Sequence, residues 1–305
     1  MTDAAAPSRY WALAHGRAVA LEQPRVVAIL NATPDSFYDG GELASVEAAV
    51  ERARRAVRKG AAMLDVGGES TRPGAPRVAA DEQVARVVPI IEAIRACEDR
   101  ATADVPISVD TTRSDVARAA IDAGADAVND VSGGTEDPKL LEIVAHTGAG
   151  LVLMHRGAPP PQDRYADEYA DEPDFAGGVV ATVQATLAAH AQRALDAGVA
   201  PERIVIDPGL GFGKSVEQNV QLLRRIGDLA SLGYPVYVGA SRKRFVGRIS
   251  IGPESEPADR LAGSLACTLL AAQGGALLHR VHDPTEHVRA LSVLSAWNAG
   301  RENGV

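Results

Sequence analysis

The sequence predicts one (β/α)8 barrel, a TIM barrel of the α/β class, with a short hairpin in front of its first strand. Eight short apolar runs alternate with eight amphipathic stretches along the 305 residues. The runs are apolar on both faces, as are parallel strands that helices cover on either side. Such alternation implies a parallel sheet, and eight units in a chain of this length imply closure into a barrel.

The strands and helices can be followed in order along the chain. The first strand is "VVAIL" at 26–30, and the helix after it carries an apolar stripe of Val46, Val50, Ala53 and Val57. The other seven strands are predicted from the runs "AMLDV", "PISVD", "DAVND", "GLVLMH", "RIVID", "PVYVGAS" and "ALLHRV". The helices between them include a long one over 174–198 and an unbroken one over "VEQNVQLLRRIGDLASLG".

The segments outside the barrel are short. "YWALAHGRAVAL" is interpreted as a hairpin that caps the barrel floor. The chain then divides into a cap at 1–25, a barrel at 26–299 and a flexible tail at 300–305. Two Pro-containing loops, "RGAPPPQDRYADEYADEP" and "SIGPESEP", are expected to be mobile excursions rather than domain linkers.

Composition argues against several classes of partner. The formal net charge of -9 leaves no basic face for sequence-independent nucleic-acid binding, and an anionic substrate would need a local cationic cluster. No apolar run approaches the roughly 20 residues that span a membrane, and the first residues lack the pattern of a signal peptide. Cys97 and Cys267 show no metal-ligand spacing, so we expect buried thiols in a reducing cytoplasm.

Polar side chains follow all eight predicted strands. In chain order they are Asn31, Asp65, Asp110, Asn129 with Asp130, His155, Asp207, Ser241 with Arg242 and Lys243, and Arg280 with His282 and Asp283. A single Asp at a strand end is most often a helix N-cap. Capping requires neither Asn129 nor Lys243 nor Arg280, however, and the carboxyl ends of barrel strands meet on one face. The ring of side chains therefore predicts one pocket on that face.

The ring divides into two parts with different ligand preferences. The acidic and amide-rich part comprises Asp110, Asn129, Asp207 and Lys243. It suits the amino-pyrimidine edge of a guanine-like or pterin ring, because a carboxylate accepts two parallel N–H donors. The cationic part comprises Arg72, Arg280 and His282, with Asn31 beside it. It suits a dianion or a pyrophosphate, with Mg²⁺ as a cation that favours oxygen ligands.

Eight segments resemble, in order, the motif series of the dihydropteroate synthases. They are "ILNATPDSFYDGG", "DVGGESTRPGA", "SVDT", "VNDVSGG", "LMH", "IDPGLGFGK", "GASRKRF" and "RVHD", and they cover roughly residues 26–297. Any one of them alone is a weak signal, but eight in order at strand ends are highly specific. The resemblance implies an enzyme of folate biosynthesis and a sulfonamide target. Such enzymes condense 6-hydroxymethyl-7,8-dihydropterin diphosphate with 4-aminobenzoate to give 7,8-dihydropteroate and pyrophosphate.

The same resemblance implies a role for each matching residue. The pterin ring would contact Asp110, Asn129, Met154, Asp207, Phe212 and Lys243. The diphosphate would contact Asn31, Arg72, Arg280 and His282, and Asn31 would also bind Mg²⁺. The aminobenzoate would contact Thr71, Arg72, Pro73, Phe212, Ser241 and Lys243. The residues expected to be catalytic are Arg72, Asp110, Lys243, Arg280 and His282.

Loop motion, reaction order and assembly are also expected. The resemblance implies that loops at about 32–41 and 69–78 are mobile and close over the substrates. It also implies that the diphosphate leaves before the amine traps a pterin cation. A homodimer through the last two helices is expected, because "LAGSLACTLLAAQGG" is apolar nearly all round a helix.

Two other functions remain as alternatives. A pterin-dependent methyl-transfer barrel would share the ring contacts, but it needs a corrinoid partner and no diphosphate site, so Arg72, Arg280 and His282 argue against it. A catalytically silent pterin-binding homologue would have lost loop residues, yet the chain retains Thr33, Asp35, Ser36, Phe37, Thr71 and Arg72. Three histidines on predicted helices, His146, His190 and His287, are expected on solvated surfaces.

Overall fold

The predicted barrel is present. The computed structural model describes residues 10–32 and 46–302. The eight parallel barrel strands are β3 (Arg25–Asn31), β4 (Met63–Gly67), β5 (Ile107–Asp110), β6 (Ala127–Asp130), β7 (Gly150–Met154), β8 (Ile204–Asp207), β9 (Val236–Val238) and β10 (Ala276–Val281). They follow one another around the ring in chain order, and β10 pairs with β3 to close it.

The helices surround this ring. Those before β8 are α1 (Val46–Arg58), α2 (Ala80–Arg95), α3 (Arg100–Asp104), α4 (Ser114–Asp122), α5 (Lys139–Thr147) and α6 (Val179–Asp196). Those after it are α7 (Val216–Arg224), α8 (Ile226–Ala230), α9 (Arg244–Ser250), α10 (Leu261–Gln273) and α11 (Pro284–Glu302). In the described part of the chain, no helix is long and apolar enough to cross a membrane.

A two-stranded hairpin of β1 (Tyr10–Ala12) and β2 (Ala18–Ala20) closes the end at which the barrel strands begin. Trp11 is fully buried there, and its indole N–H donates to the carbonyl of Arg203 at 2.8 Å. Gly150 opens β7 directly against the hairpin. A Cβ at that position would lie 2.5 Å from Leu13 and 2.9 Å from Trp11, so glycine allows the hairpin to pack this closely against β7.

Asp126 anchors the hairpin by charge. Its buried carboxylate accepts hydrogen bonds from Arg17 at 2.9 Å and Arg95 at 2.6 Å, and His15 Nδ1 lies 3.1 Å away. The same carboxylate accepts the backbone N–H of Ile107, at the start of β5, at 2.9 Å. The cap is therefore tied to the barrel floor by a buried charge that has its partners.

The barrel interior explains why the site residues lie where they do. An apolar layer fills the floor end, comprising Val27, Met63, Ala127, Val152, Val205, Tyr237 and Leu278. Side chains alternate along a strand, so the residue two positions further on also points inward. That step leads to Ile29, Asp65, Asn129, Met154, Asp207, Gly239 and Arg280. The next layer, toward the carboxyl ends of the strands, thus includes the polar side chains of Asp65, Asn129, Asp207 and Arg280.

Some helix predictions are wrong in detail. The predicted unbroken helix is two, α7 and α8, because Arg225 between them leaves the helical conformation (φ −117, ψ 28). The helix predicted over 174–198 begins only at Val179. Two short helices, α3 and α9, were not predicted. The last helix continues to Glu302, inside the range 300–305 suggested as a tail.

Two histidine predictions are also wrong. His190 is 7% exposed rather than solvated, and its Nδ1 lies 2.8 Å from an Arg193 nitrogen. His287 is fully buried, and its Nδ1 lies 3.0 Å from the hydroxyl of Thr268. Both belong to the layer where helices pack on the barrel or on one another, which helical spacing alone did not reveal.

Candidate active site

A cavity of about 410 Å³ opens at the carboxyl ends of the strands. Most of the predicted site residues line it, namely Asn31, Thr71, Arg72, Pro73, Asp110, Ser241, Lys243, Arg280 and His282. The remaining four predicted residues are buried at the ends of β6, β7 and β8 or in the loop after β8; they are Asn129, Met154, Asp207 and Phe212. The structure therefore gathers the described strand-end residues at one end of the barrel, as predicted.

Asp65 is the centre of a buried hydrogen-bond network at the base of this cavity. It is fully buried and accepts from Ser108 Oγ at 2.5 Å, Asn129 Nδ2 at 3.3 Å and Arg280 Nε at 2.6 Å. Another nitrogen of Arg280, Nη2, donates to Asp110 Oδ2 at 2.8 Å. One guanidinium thus joins two carboxylates from neighbouring strands, and the ion pairs raise its pKa still further.

Asp110 is a carboxyl group with an acceptor oxygen that has no hydrogen-bond partner among the described residues. Burial raises its pKa to about 7, although the charge of Arg280 acts in the opposite direction. The unpartnered oxygen, Oδ1, is buried. An unpaired buried acceptor costs free energy. A ligand N–H placed against Oδ1 would recover that cost.

Asp207 provides a second carboxyl group at the end of β8. Its Oδ1 accepts the backbone N–H of Gly209 at 2.7 Å, which is the capping role expected of an Asp at a strand end. Burial raises its pKa to about 6. Asp207 and Asp110 are therefore two buried carboxyl groups at the carboxyl ends of barrel strands, and in the ionised form each can accept N–H donors of a heterocycle.

The loop after β8 is held by a lysine to which the sequence assigned no role. Lys214 is fully buried, and its ammonium donates to the carbonyls of Gly209 and Phe212, each at 2.9 Å, and of His155 at 3.4 Å. Burial lowers its pKa to about 7. Three acceptors around one nitrogen match the three donors of an ammonium. The only available signal was the "GFGK" motif itself.

Lys243 lies against this loop from the other side. Its Nζ is 3.7 Å from the ring centroid of Phe212, a cation–π contact. Burial lowers its pKa to about 8. Phe212 in turn packs with Met154 and Val131 in a small apolar cluster. The predicted pterin contacts Met154, Phe212 and Lys243 are thus connected by direct packing.

The surroundings of His282 favour a neutral imidazole over the cationic one expected from the sequence. Burial, followed by the charges of Arg280 and other cations, lowers its pKa to about 3. The hydroxyl of Ser241 accepts the backbone N–H of His282 at 3.2 Å and lies 3.1 Å from its Nδ1. If the hydroxyl donates to Nδ1, the ring proton lies on Nε2, where it is available as a donor.

The loop at 69–78 has attachments that the sequence did not suggest. Glu69 accepts the backbone N–H of Val78 at 2.7 Å and pairs with Arg77 at 3.1 Å. Arg77 also pairs with Glu136 in the loop after β6. The other predicted mobile loop, at about 32–41, lies almost entirely outside the described residues.

The excursion between β7 and α6 forms one wall of the cavity, which the sequence did not predict. Tyr165 lines the cavity, and the guanidinium of Arg244 lies 4.5 Å from its ring centroid. Arg244 also pairs with Asp167 at 3.1 Å and Glu168 at 3.0 Å. Nearer β7, Asp163 accepts the backbone N–H of Gly213 at 3.1 Å. Asp163, Asp167 and Glu168 therefore attach this loop to the rest of the barrel.

Asn31 and Asp110 provide a small set of oxygen atoms of the kind that Mg²⁺ prefers as ligands. Among residues 10–32 and 46–302, no group of three or more His, Cys, Asp or Glu side chains could hold a metal ion. Asn31 Oδ1 and Asp110 Oδ2 each lie 3.8 Å from the point where a Cβ on Gly67 would be, and Asp110 Oδ2 also accepts a hydrogen bond from Arg280 at 2.8 Å. Mg²⁺ commonly takes one or two protein oxygens and completes its shell with phosphate and water.

The barrel with carboxylates at its base and guanidinium groups at its mouth has the architecture of the pterin-binding enzymes. The family model described as "Pterin binding enzyme" matches residues 27–282. A curated relative, the dihydropteroate synthase of Escherichia coli K12, is 40% identical over 291 residues, which are 95% of this chain and 97% of that protein. The chain belongs to the dihydropteroate synthase family and is a transferase of folate biosynthesis. The resemblance seen in the eight motifs is thereby confirmed.

Solved structures agree with this membership. A Xanthomonas albilineans dihydropteroate synthase with 4-aminobenzoic acid is 44% identical and superposes with a TM-score of 0.84 over 96% of this chain and 99% of that one. The Burkholderia cenocepacia enzyme complexed with 7,8-dihydropteroate is 40% identical, with a TM-score of 0.82 and 98% of each chain covered. The Yersinia pestis enzyme in a sulfonamide drug complex is 37% identical, with a TM-score of 0.82 over 94% of this chain and 98% of that one.

Proposed function

We propose that the cavity binds 6-hydroxymethyl-7,8-dihydropterin diphosphate and 4-aminobenzoate and joins them into 7,8-dihydropteroate, with release of pyrophosphate. The observation that carries the proposal is Arg280, which pairs with Asp65 and Asp110 and lines the cavity together with Arg72. An acceptor-rich base thus adjoins a cationic mouth. A pterin diphosphate has the complementary polarity, with N–H donors at one end and anionic oxygens at the other.

The pterin ring is assigned to the buried end. Asp110 Oδ1 and the carboxylate of Asp207 would accept ring N–H groups, and Asn129 would complete the edge. Lys243 would donate to the ring carbonyl. Met154 and Phe212 would pack against the ring. The orphaned Oδ1 of Asp110 supports this assignment, because it is a buried acceptor in need of a donor.

The diphosphate is assigned to the mouth. Arg72 and Arg280 would supply guanidinium donors, and the neutral His282 would supply its Nε2–H. Asn31 would hold Mg²⁺, which when bound neutralises charge on the leaving group. These contacts strengthen as negative charge collects on the departing oxygens, so they favour the transition state over bound substrate.

The aminobenzoate is assigned to the space between the loop at 69–78 and the loop after β9. Thr71, Arg72, Pro73, Ser241 and Lys243 line this part, and Phe212 adjoins Lys243. An aromatic amine is unprotonated at neutral pH, so its lone pair needs no general base. The contribution of these residues is orientation toward the carbon from which the diphosphate leaves. The same contacts make the chain a sulfonamide target by occupation of this position.

A homodimer is also part of the proposal. Leu270 on α10 is 53% exposed, and Val293 and Trp297 on α11 are 72% and 63% exposed. These two helices flank β10 and pack against each other. A second copy could cover such apolar side chains across a two-fold axis. Light scattering tests this: a monomer mass in dilute solution would overturn it, and Val293→Lys with Trp297→Lys should produce that mass from a dimer. The cytoplasmic location stays a prediction.

The decisive experiment for the reaction is pyrophosphate release from the dihydropterin diphosphate. We expect release that depends on added 4-aminobenzoate and on Mg²⁺, and that a sulfonamide inhibits in competition with 4-aminobenzoate. A silent homologue would bind the pterin without releasing pyrophosphate. A methyl-transfer barrel would release none and would respond to a corrinoid partner. Either result would overturn the proposal.

A further inference from the structure

Arg242, immediately before Lys243, adopts a backbone conformation that its side chain disfavours. Its φ is 59°, and within the described residues only His15 shares a positive φ among the non-glycine residues. The left-handed region brings a Cβ against the following carbonyl, so glycine, asparagine and aspartate are the usual occupants. A strained residue of this kind persists only where its surroundings enforce it.

The surroundings of Arg242 do enforce it. Its backbone N–H donates to Ser264 Oγ at 2.9 Å, and its carbonyl accepts Arg260 Nη1 at 3.0 Å. Its side chain pairs twice with Asp283, one contact being Nε to Oδ2 at 2.9 Å. Ser264 is fully buried on α10 and donates to the carbonyl of Arg260 at 2.6 Å. Both peptide groups and the side chain are therefore fixed at once.

The left-handed turn determines where Lys243 points. The aliphatic part of Lys243 lies against Gly211, where an added Cβ would be 3.0 Å from Lys243 Cδ. The ammonium then reaches the face of Phe212. The charged groups that act on it there are Arg280, Asp207, Asp163 and Asp110. A right-handed turn at residue 242 would send the lysine in another direction.

We propose that Arg242 is a positioning residue for Lys243. Its left-handed backbone, held by Ser264, Arg260 and Asp283, keeps the Lys243 ammonium over the ring of Phe212. The inference rests on the proposed function, in which Lys243 donates to the pterin carbonyl. The contacts of Arg242 described above go to Ser264, Arg260 and Asp283 rather than to the groups assigned to the substrate, although Arg242 also lines the cavity.

A matched pair of variants separates the backbone from the side chain. Arg242→Asn and Arg242→Val both remove the ion pair with Asp283, but asparagine tolerates the left-handed region and a β-branched valine does not. We expect kcat/KM for the dihydropterin diphosphate to be about tenfold to a hundredfold lower for Arg242→Val than for Arg242→Asn. As a control, Arg58→Val removes the exposed pair with Glu51 on α1 and should leave kcat/KM unchanged.

The pH profile adds a readout that a purely structural role would not move. Burial lowers the pKa of Lys243 to about 8. In Arg242→Val the ammonium leaves its buried position for a more hydrated one, so the pKa of Lys243 should rise. The alkaline limb of the kcat/KM profile should then shift to higher pH, while that of Arg242→Asn should stay at the parental pH. Equal kcat/KM for the two variants, or an unmoved limb in Arg242→Val, overturns the inference.

Ser264→Ala tests the same inference through the hydrogen-bond partner of the Arg242 backbone. If Arg242→Val does not fold, Ser264→Ala removes the acceptor of the Arg242 N–H and should lower kcat/KM with the same shift of the alkaline limb. An unchanged profile in Ser264→Ala then overturns the inference. If the parent enzyme releases no pyrophosphate in response to 4-aminobenzoate, it is the proposed function that fails.

Discussion

Replacement of Arg280 by methionine should destabilise the chain strongly. The change keeps an unbranched side chain but removes the guanidinium that pairs with Asp65 at 2.6 Å and Asp110 at 2.8 Å. Both carboxyl groups are 5% exposed or less. Breaking a buried ion pair costs about 3–5 kcal/mol, because it leaves a charge without compensation. At about 2 °C per kcal/mol for a chain of this size, Tm should fall by about 6–10 °C.

The loss should depend on pH with a definite sign. Burial raises the pKa of Asp110 from its ordinary 3.8 to about 7, so the native state keeps a proton that the unfolded chain has released. Stability linked to that proton is present at low pH and is lost as the pH rises through about 7. Because the carboxylate is still costlier without Arg280, the deficit of the variant should grow from about pH 6 to about pH 8.

Urea unfolding of the parent and of Arg280→Met at several pH values measures both effects. Arg58→Met is the control, because its partner Glu51 is half exposed and such a surface pair contributes about 0–1 kcal/mol. A loss below about 1 kcal/mol at pH 8, or a loss that does not change with pH, would refute the account of Arg280 as the cation that two buried carboxyl groups require.

Three further outcomes are expected. Asp207→Asn should weaken pterin binding by about 2–4 kcal/mol, because the amide sets a donor against ring donors; unchanged calorimetric affinity would mean that Asp207 only caps the turn at Gly209. Lys214→Met leaves three carbonyl acceptors without their ammonium donor. We therefore expect the free energy of unfolding in denaturant to fall by about 3 kcal/mol and the pterin affinity to weaken; a variant of parental stability would contradict this. Asp126→Asn should reduce the free energy of unfolding by about 2–4 kcal/mol, because its cationic partners lose their carboxylate. KM for both substrates should stay the same, because Asp126 lies at the barrel floor; an altered KM would show that the floor is coupled to the site.

The fold could be predicted because its signal is local and repeated. Every barrel strand is a short apolar run, and the closing step needs only the number of units. The break at Arg225 could not be predicted, because the sequence on both sides has the helical period and only the path over the barrel interrupts it. The burial of His190 was missed for a related reason. A Cβ on Gly133, in the loop after β6, would lie 2.3 Å from its ring, and that glycine is distant in sequence.

The candidate site was predicted where strand ends determine it and missed where loops do. Asp110 and Arg280 follow from strand register, since each stands at or near the end of an apolar run. Tyr165 and Arg244 meet through a long excursion whose path no short-range pattern specifies. The neutral state of His282 depends on burial and on neighbouring cations, so the residue could be placed from the sequence but its charge could not.

The two contacts of Arg280 also bear on how the chain reaches its folded state. They join residues separated by 215 and 170 positions, so β10 leaves the ribosome long after β4 and β5. Until it arrives, an incomplete barrel that closed around Asp65 and Asp110 would bury carboxylates without their cation, at a high cost. The early strands therefore favour a hydrated, open arrangement during synthesis. We therefore expect ring closure and neutralisation of these two carboxylates to occur together, when β10 pairs with β3.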